Sequence, residues 1–167
     1  MKRLLLAAVL AAAASAHAGE VLLHTVSMHG KRTYDLTSTT NVVDEKGNVL
    51  SSVDTTEARP YNNVNLGVGY RFDNEAVVGV YHNSYRKAAF YAGYMPMWQT
   101  SHAPLSLGFA VLVATGYEIP TGNKITAAAT LIAGYKVASE TRIYVSHIPK
   151  VTSDTVSVTH IMFGREF

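Results

Sequence analysis

The chain has 167 residues, a formal net charge of +2, 16% charged and 48% hydrophobic residues, and no cysteine. That charge is too small for nucleic-acid recognition. The missing cysteine excludes disulfides, thiolate catalysis and Cys-based zinc sites.

The first segment reads as an address. Lys2 and Arg3 are followed by an apolar run from Leu4 to Ala14 and by the small-x-small pattern Ala16-His17-Ala18. This is the pattern of a cleavable signal peptide, residues 1–18. The run falls short of the ~20 apolar residues that a membrane-crossing helix needs. Residues 19–167 are expected to form a single domain.

Helix-period patterns are missing after the leader, while β-branched, aromatic and glycine residues alternate with period two. Eight strands are predicted: Val21–His29, Asn63–Phe72, Glu75–Ser84, Ala88–Gln99, Leu105–Tyr117, Ile125–Ala138, Thr141–Pro149 and Val156–Phe167. Most reach the ~9–11 residues of a tilted transmembrane strand rather than the ~5–6 usual in globular sheets. Their faces separate. Leu105, Leu107, Phe109, Val111 and Val113 oppose Ser106, Gly108, Ala110, Ala114 and Gly116. Leu66, Val68, Tyr70 and Phe72 oppose Asn65, Gly67, Gly69 and Arg71. Apolar-out, small-or-polar-in is the arrangement of a lipid-facing barrel. The fold class is therefore all-β, an eight-stranded antiparallel up-and-down transmembrane β-barrel in a Gram-negative outer membrane. The terminal Phe167 on a strand-like run fits that class.

Connection lengths set the direction. Gly30–Asn62 is long, with a small hairpin predicted over Thr39–Val43 and Val49–Val53, whereas Asp73-Asn74 is tight. Outer loops exceed periplasmic turns in such barrels. The segments 30–62, 85–87, 118–124 and 150–155 then lie outside, and those near 73, 100–104 and 139–140 lie in the periplasm. His29, Asn83 and Ser84 fall together at the outer rim. A His beside a Ser is the minimal pair for general-base chemistry on an ester. The bland alternative is an ordinary polar rim.

These segments in their order resemble the lipid A palmitoyltransferase (PagP) family. Ser27-Met28-His29 is similar to the strand that ends in the family's catalytic His. Tyr61-Asn62 and Gly67-Val68-Gly69-Tyr70 match its next elements. Asn83-Ser84-Tyr85 falls on its Asp-Ser-aromatic element, followed by Ala92-Gly93-Tyr94 and Ile148-Pro149. The resemblance implies acyl transfer from a phospholipid donor to a lipid A (lipopolysaccharide) hydroxyl, without cofactor or metal, by a monomer. It implies that His29 is the base, that Ser84 and Asn83 orient it or donate to the oxyanion, and that Tyr85 and Met95 contact substrate. Three departures stand out. Asn83 replaces the Asp and cannot offer charge to an imidazolium. Only Gly19 and Glu20 precede strand one, where the family has a helix. Met95 falls near the floor position that measures the acyl chain, which implies chains shorter than palmitate.

Two other readings compete. His82-Asn83-Ser84 resembles the His-x-Ser motif of lipid A deacylase (PagL) barrels, without their following Glu, and His82 shares a face with Val78 and Val80. The other is a structural or adhesion barrel whose function lies in the 30–62 loop. His24, His102, His147 and His160 are scattered without a metal-ligand spacing. Tyr34, Tyr61, Tyr81, Tyr85, Tyr91, Tyr94, Tyr117 and Trp98 are read as an interfacial aromatic girdle.

Overall fold

The computed structural model describes residues 19–101, 104–150 and 156–167. The expected signal peptide lies outside these residues, as do parts of the 100–104 and 150–155 connections.

The strands are β1 (Gly19–His29), β2 (Thr33–Val43), β3 (Val49–Pro60), β4 (Val64–Phe72), β5 (Ala76–His82), β6 (Ala88–Tyr94), β7 (Met97–Gln99), β8 (Leu105–Thr115), β9 (Ile125–Ala138), β10 (Thr141–Ile148) and β11 (Val158–Glu166). One helical turn, α1 (Glu118–Thr121), joins β8 to β9. The main sheet runs β6-β5-β4-β1-β11-β10-β9-β8-β7, and pairing of β6 with β8 closes it. The wall is thus an eight-stranded antiparallel barrel plus one extra short strand, as the alternation implies. That extra strand, β7, continues β6: Tyr94↔Val111 and Met97↔Gly108 lie in one unbroken register on β8. Pro96, which has no N–H to give to a ladder, interrupts what the sequence reads as a single strand.

The wall sorts its side chains by parity. Leu107, Val111 and Val113 are about half exposed outward, while Ser106, Ala110 and Ala114 are buried inside. Inward glycines leave a trough for large rings. A Cβ on Gly69 would lie 2.0 Å from the Tyr91 hydroxyl, and one on Gly79 2.5 Å from the Tyr91 ring. The Tyr91 side chain therefore crosses the interior over β5 and β4. At the end of the tight 73–75 turn, Glu20, Arg71 and Tyr144 fill the bore. Arg71 pairs with Glu20 at 3.0 Å, and the Tyr144 hydroxyl lies 2.8 Å from both Glu20 oxygens.

β1 carries a bulge between His24 and Val26, seen against both neighbours. Below it, even-numbered residues point inward: Glu20, Leu22 and His24 are buried. Above it the parity flips, because one extra residue turns the strand over. Ser27 is now buried, and Val26 and Met28 face outward. The bulge is what brings His29 to the interior side of the rim.

β2 and β3 form a separate two-stranded hairpin. It is longer than predicted, spanning Thr33–Pro60, with nearly every residue exposed. At its tip Asp44 accepts the backbone N–H of Lys46 (2.9 Å) and of Asn48 (2.8 Å).

Candidate active site

Three connections converge at the rim that carries the hairpin: the end of β1, the 61–63 segment before β4, and the 83–87 turn after β5. His29 Nε2 lies 2.8 Å from Ser84 Oγ. His29 Nδ1 lies 3.2 Å from Asn63 Oδ1. With Nδ1–H donating to Asn63, Nε2 is the acceptor for the Ser84 hydroxyl. That is the tautomer a general base needs, and the chain Ser84–His29–Asn63 has the nucleophile–base–orienter order of hydrolytic triads. The imidazole is also stacked on Tyr61, with centroids 4.3 Å apart and planes 4° from parallel.

Ser84 is buried, and further polar groups hold it from below. Its Oγ is 3.5 Å from Ser27 Oγ and 3.5 Å from Asn65 Nδ2. The Ser27 hydroxyl donates in turn to Asn65 Oδ1. Asn65 Nδ2 also donates to the His82 carbonyl at 3.0 Å. The Asn62 N–H donates to the Ser84 carbonyl at 2.8 Å, which pins the backbone on that side.

The structure brings His29 and Ser84 together but turns Asn83 away from them. Asn83 Nδ2 donates to the Gly116 carbonyl at 2.6 Å, and its Oδ1 accepts the N–H groups of Tyr85 (3.0 Å) and Lys87 (2.9 Å). A side chain that satisfies its own turn this way is a structural Asx device. It holds a turn in which Arg86 takes a positive φ of 62°. Asn63 occupies the orienting place expected of Asn83. His82 is exposed and meets Asn62 at 3.2 Å rather than Ser84, so the His-x-Ser spacing does not correspond to a contact.

Below the rim lies an interior cavity of about 550 Å³ whose lining includes His29, Tyr85, Leu112, Ile132, Met95 and Met162. Met95 is buried within the apolar cluster at the deep end, and Tyr85 stands at the mouth. A separate pocket at the far end touches Glu20, Arg71 and Glu166 and shares no lining residue with the first. The cavity is thus open toward the hairpin side and stoppered by the Glu20–Arg71–Tyr144 group.

The tyrosines do not form the outward girdle expected of them all. Tyr94 and Trp98 do face outward. Tyr34, Tyr61 and Tyr85 instead pack on one another over the mouth, with centroids 4.9–5.6 Å apart, and Tyr117 joins Tyr85 at 5.9 Å. Burial pushes the Tyr85 phenol above its ordinary pKa, so it stays a neutral hydroxyl. Tyr81 and Tyr91 point into the cavity beside His24 and His160. Two of the histidines that are scattered in sequence therefore meet inside.

Comparisons with protein-family models, with curated proteins and with solved structures each return no match.

Proposed function

We propose that the chain is an outer-membrane acyltransferase that moves an acyl chain from a phospholipid to a hydroxyl of lipid A. The observation that carries this reading is the Ser84–His29–Asn63 chain, whose His29 lines the mouth of an apolar, blind-ended cavity. A hydrocarbon tail entering the cavity leaves its ester carbonyl at the rim. The apolar outer wall holds the rim at headgroup level.

In the first half-reaction His29 Nε2 takes the Ser84 proton as Oγ attacks the ester carbonyl. The oxygen becomes an oxyanion, for which Asn65 Nδ2 is a nearby donor. Collapse expels the lysophospholipid alkoxide, which takes the proton from His29, and leaves the acyl chain on Ser84. In the second half-reaction the acceptor hydroxyl gives its proton to His29 and attacks the acyl-Ser84 ester; collapse breaks the bond to Ser84 Oγ, which takes the proton back from His29. Water in place of the sugar hydroxyl would make the same machinery a hydrolase. Tyr34, Tyr61 and Tyr85, packed over the mouth, favour transfer by keeping water away.

The test uses purified protein in mixed micelles with an acyl-labelled phospholipid and lipid A. Label should reach lipid A with wild type and fall at least ~100-fold with Ser84→Ala or His29→Ala. Label released only as free fatty acid would identify a hydrolase. Unchanged transfer in both variants would reject the site.

A further inference from the structure

Midway down the cavity, apolar walls give way to a polar belt. His24 Nδ1 lies 3.1 Å from His160 Nε2, and His24 Nε2 lies 2.7 Å from the Tyr91 hydroxyl. Tyr81 stacks on His24 at 5.1 Å and bonds through its hydroxyl to Tyr117. Above the belt the cavity is lined by Leu112, Ala114 and Ile148, and below it by Leu22, Met95 and Met162.

The donor count of this belt does not close. Neutral His24 and His160 each carry one N–H, and Tyr91 carries one O–H, giving three donors for two hydrogen bonds. If Tyr91 donates to His24 and His24 to His160, the His160 Nδ1–H is left over. If the chain runs the other way, the Tyr91 O–H is left over. Neither group has another partner among the described residues, and both line the cavity. Either arrangement leaves a spare donor on a residue that lines a space whose occupant is otherwise expected to be hydrocarbon. Once an acyl chain fills the cavity and excludes water, an unmatched donor costs free energy that an oxygen on that chain would recover. No group of three His, Asp or Glu side chains suited to a metal ion forms among the described residues.

We propose that this belt is a specificity site for an oxygen substituent in the middle of an acyl chain, a hydroxyl or a keto group. The inference rests on the reading of the cavity as an acyl-chain site. Five residues of bulged, tilted strand separate His24 from His29, a depth of roughly 12 Å. An extended chain advances ~3.3 Å for every three backbone bonds, so that depth is about ten bonds, near the tenth carbon of a chain whose carboxyl sits at the rim. The apolar floor beneath accepts the remaining carbons, so the chain is apolar, then polar, then apolar.

The test measures binding of tetradecanoic, 3-hydroxytetradecanoic and 10-hydroxytetradecanoic acids to the full barrel in nanodiscs of dioleoyl phosphatidylcholine. Wild type is compared with the all-apolar belt variant His24→Leu/Tyr91→Phe/His160→Leu, with empty discs as the background. Partition into the bilayer is common to both proteins and cancels in the ratio. Relative to the variant, wild type should prefer the 10-hydroxy chain over the plain chain by about tenfold, the worth of one recovered hydrogen bond. The 3-hydroxy chain should gain nothing, and the variant should bind the plain chain at least as well while losing the preference. Should the triple variant fail to fold, Tyr91→Phe and His160→Phe are made singly, and at least one must lower the wild-type preference. The same ratio of 10-hydroxy to plain binding in wild type and variant would overturn the inference and leave the acyl-chain reading standing. Binding of none of the three would overturn both.

Discussion

At the scale of single residues, the site turns on which asparagine faces the imidazole. Asn63 bonds His29 Nδ1, whereas Asn83 spends its carboxamide on its own turn and on Gly116. Asn63→Ala should therefore lower the acyl-transfer rate by about 10–100-fold with little change in stability. Asn83→Ala should cost roughly 1–3 kcal/mol of stability, because it strands the buried partners of a fully enclosed side chain. Rates in micelles set beside denaturant unfolding of the two variants separate these outcomes. Met95 makes a second case. It is buried at the deep end of the cavity, so Met95→Gly should lengthen the preferred acyl chain, read by chain-length profiling of the transferred group. The sequence shows His29 and Ser84 as a pair because topology alone puts them at one end. It hides Asn63, since two adjacent asparagines at the end of a long loop carry no periodicity to rank them. The role of Asn83 had a local signal: an Asn opening a tight turn, with backbone donors two and four residues on.

Among the elements, the wall strands are the legible part, because a two-sided environment writes its alternation into every one of them. The exceptions are places where that rule is broken. In β1, inward Leu22 and His24 are followed by outward Val26 and Met28. That parity switch marks the bulge that aims His29 inward. The interior tyrosines had their signal in the inward glycines, whose missing side chains make room for Tyr91. The β2–β3 hairpin reads short because both its faces meet solvent, so Thr, Ser and charged residues follow one another without period. Its tip turn depends on the Asp44 carboxylate, whose hydrogen bonds from Asn48 and the backbone hold its pKa below the ordinary value of 3.8. A depressed folded-state pKa means that the turn is fully supported above about pH 4 and loses that support as pH falls through the lower folded value. The amide proton shifts of Lys46 and Asn48 should move together in one transition centred below the ordinary aspartate range. A transition at or above that range would remove the carboxylate from the turn.

For the molecule as a whole, the proposed function ties the apolar outer wall to the blind cavity: lipid would lie outside, one tail inside, and the chemistry where the two meet. The wall makes its own prediction. Val111 is 52% exposed near the middle of β8. Val111→Arg should cost about 2–4 kcal/mol in a bilayer, as a charge at the midplane of a lipid-facing wall does. In a water-facing barrel of the same shape that change would be nearly silent, so urea unfolding from liposomes distinguishes the two. The stopper of Glu20, Arg71 and Tyr144 fits a container rather than a pore. The most direct test of the central claim is the mass of lipid A from Gram-negative cells expressing the wild-type chain or His29→Ala. Lipid A should carry one added acyl mass in the first and none in the second. Lipid A of unchanged mass with a folded wild-type barrel in the outer membrane, or of reduced acyl mass, would contradict it.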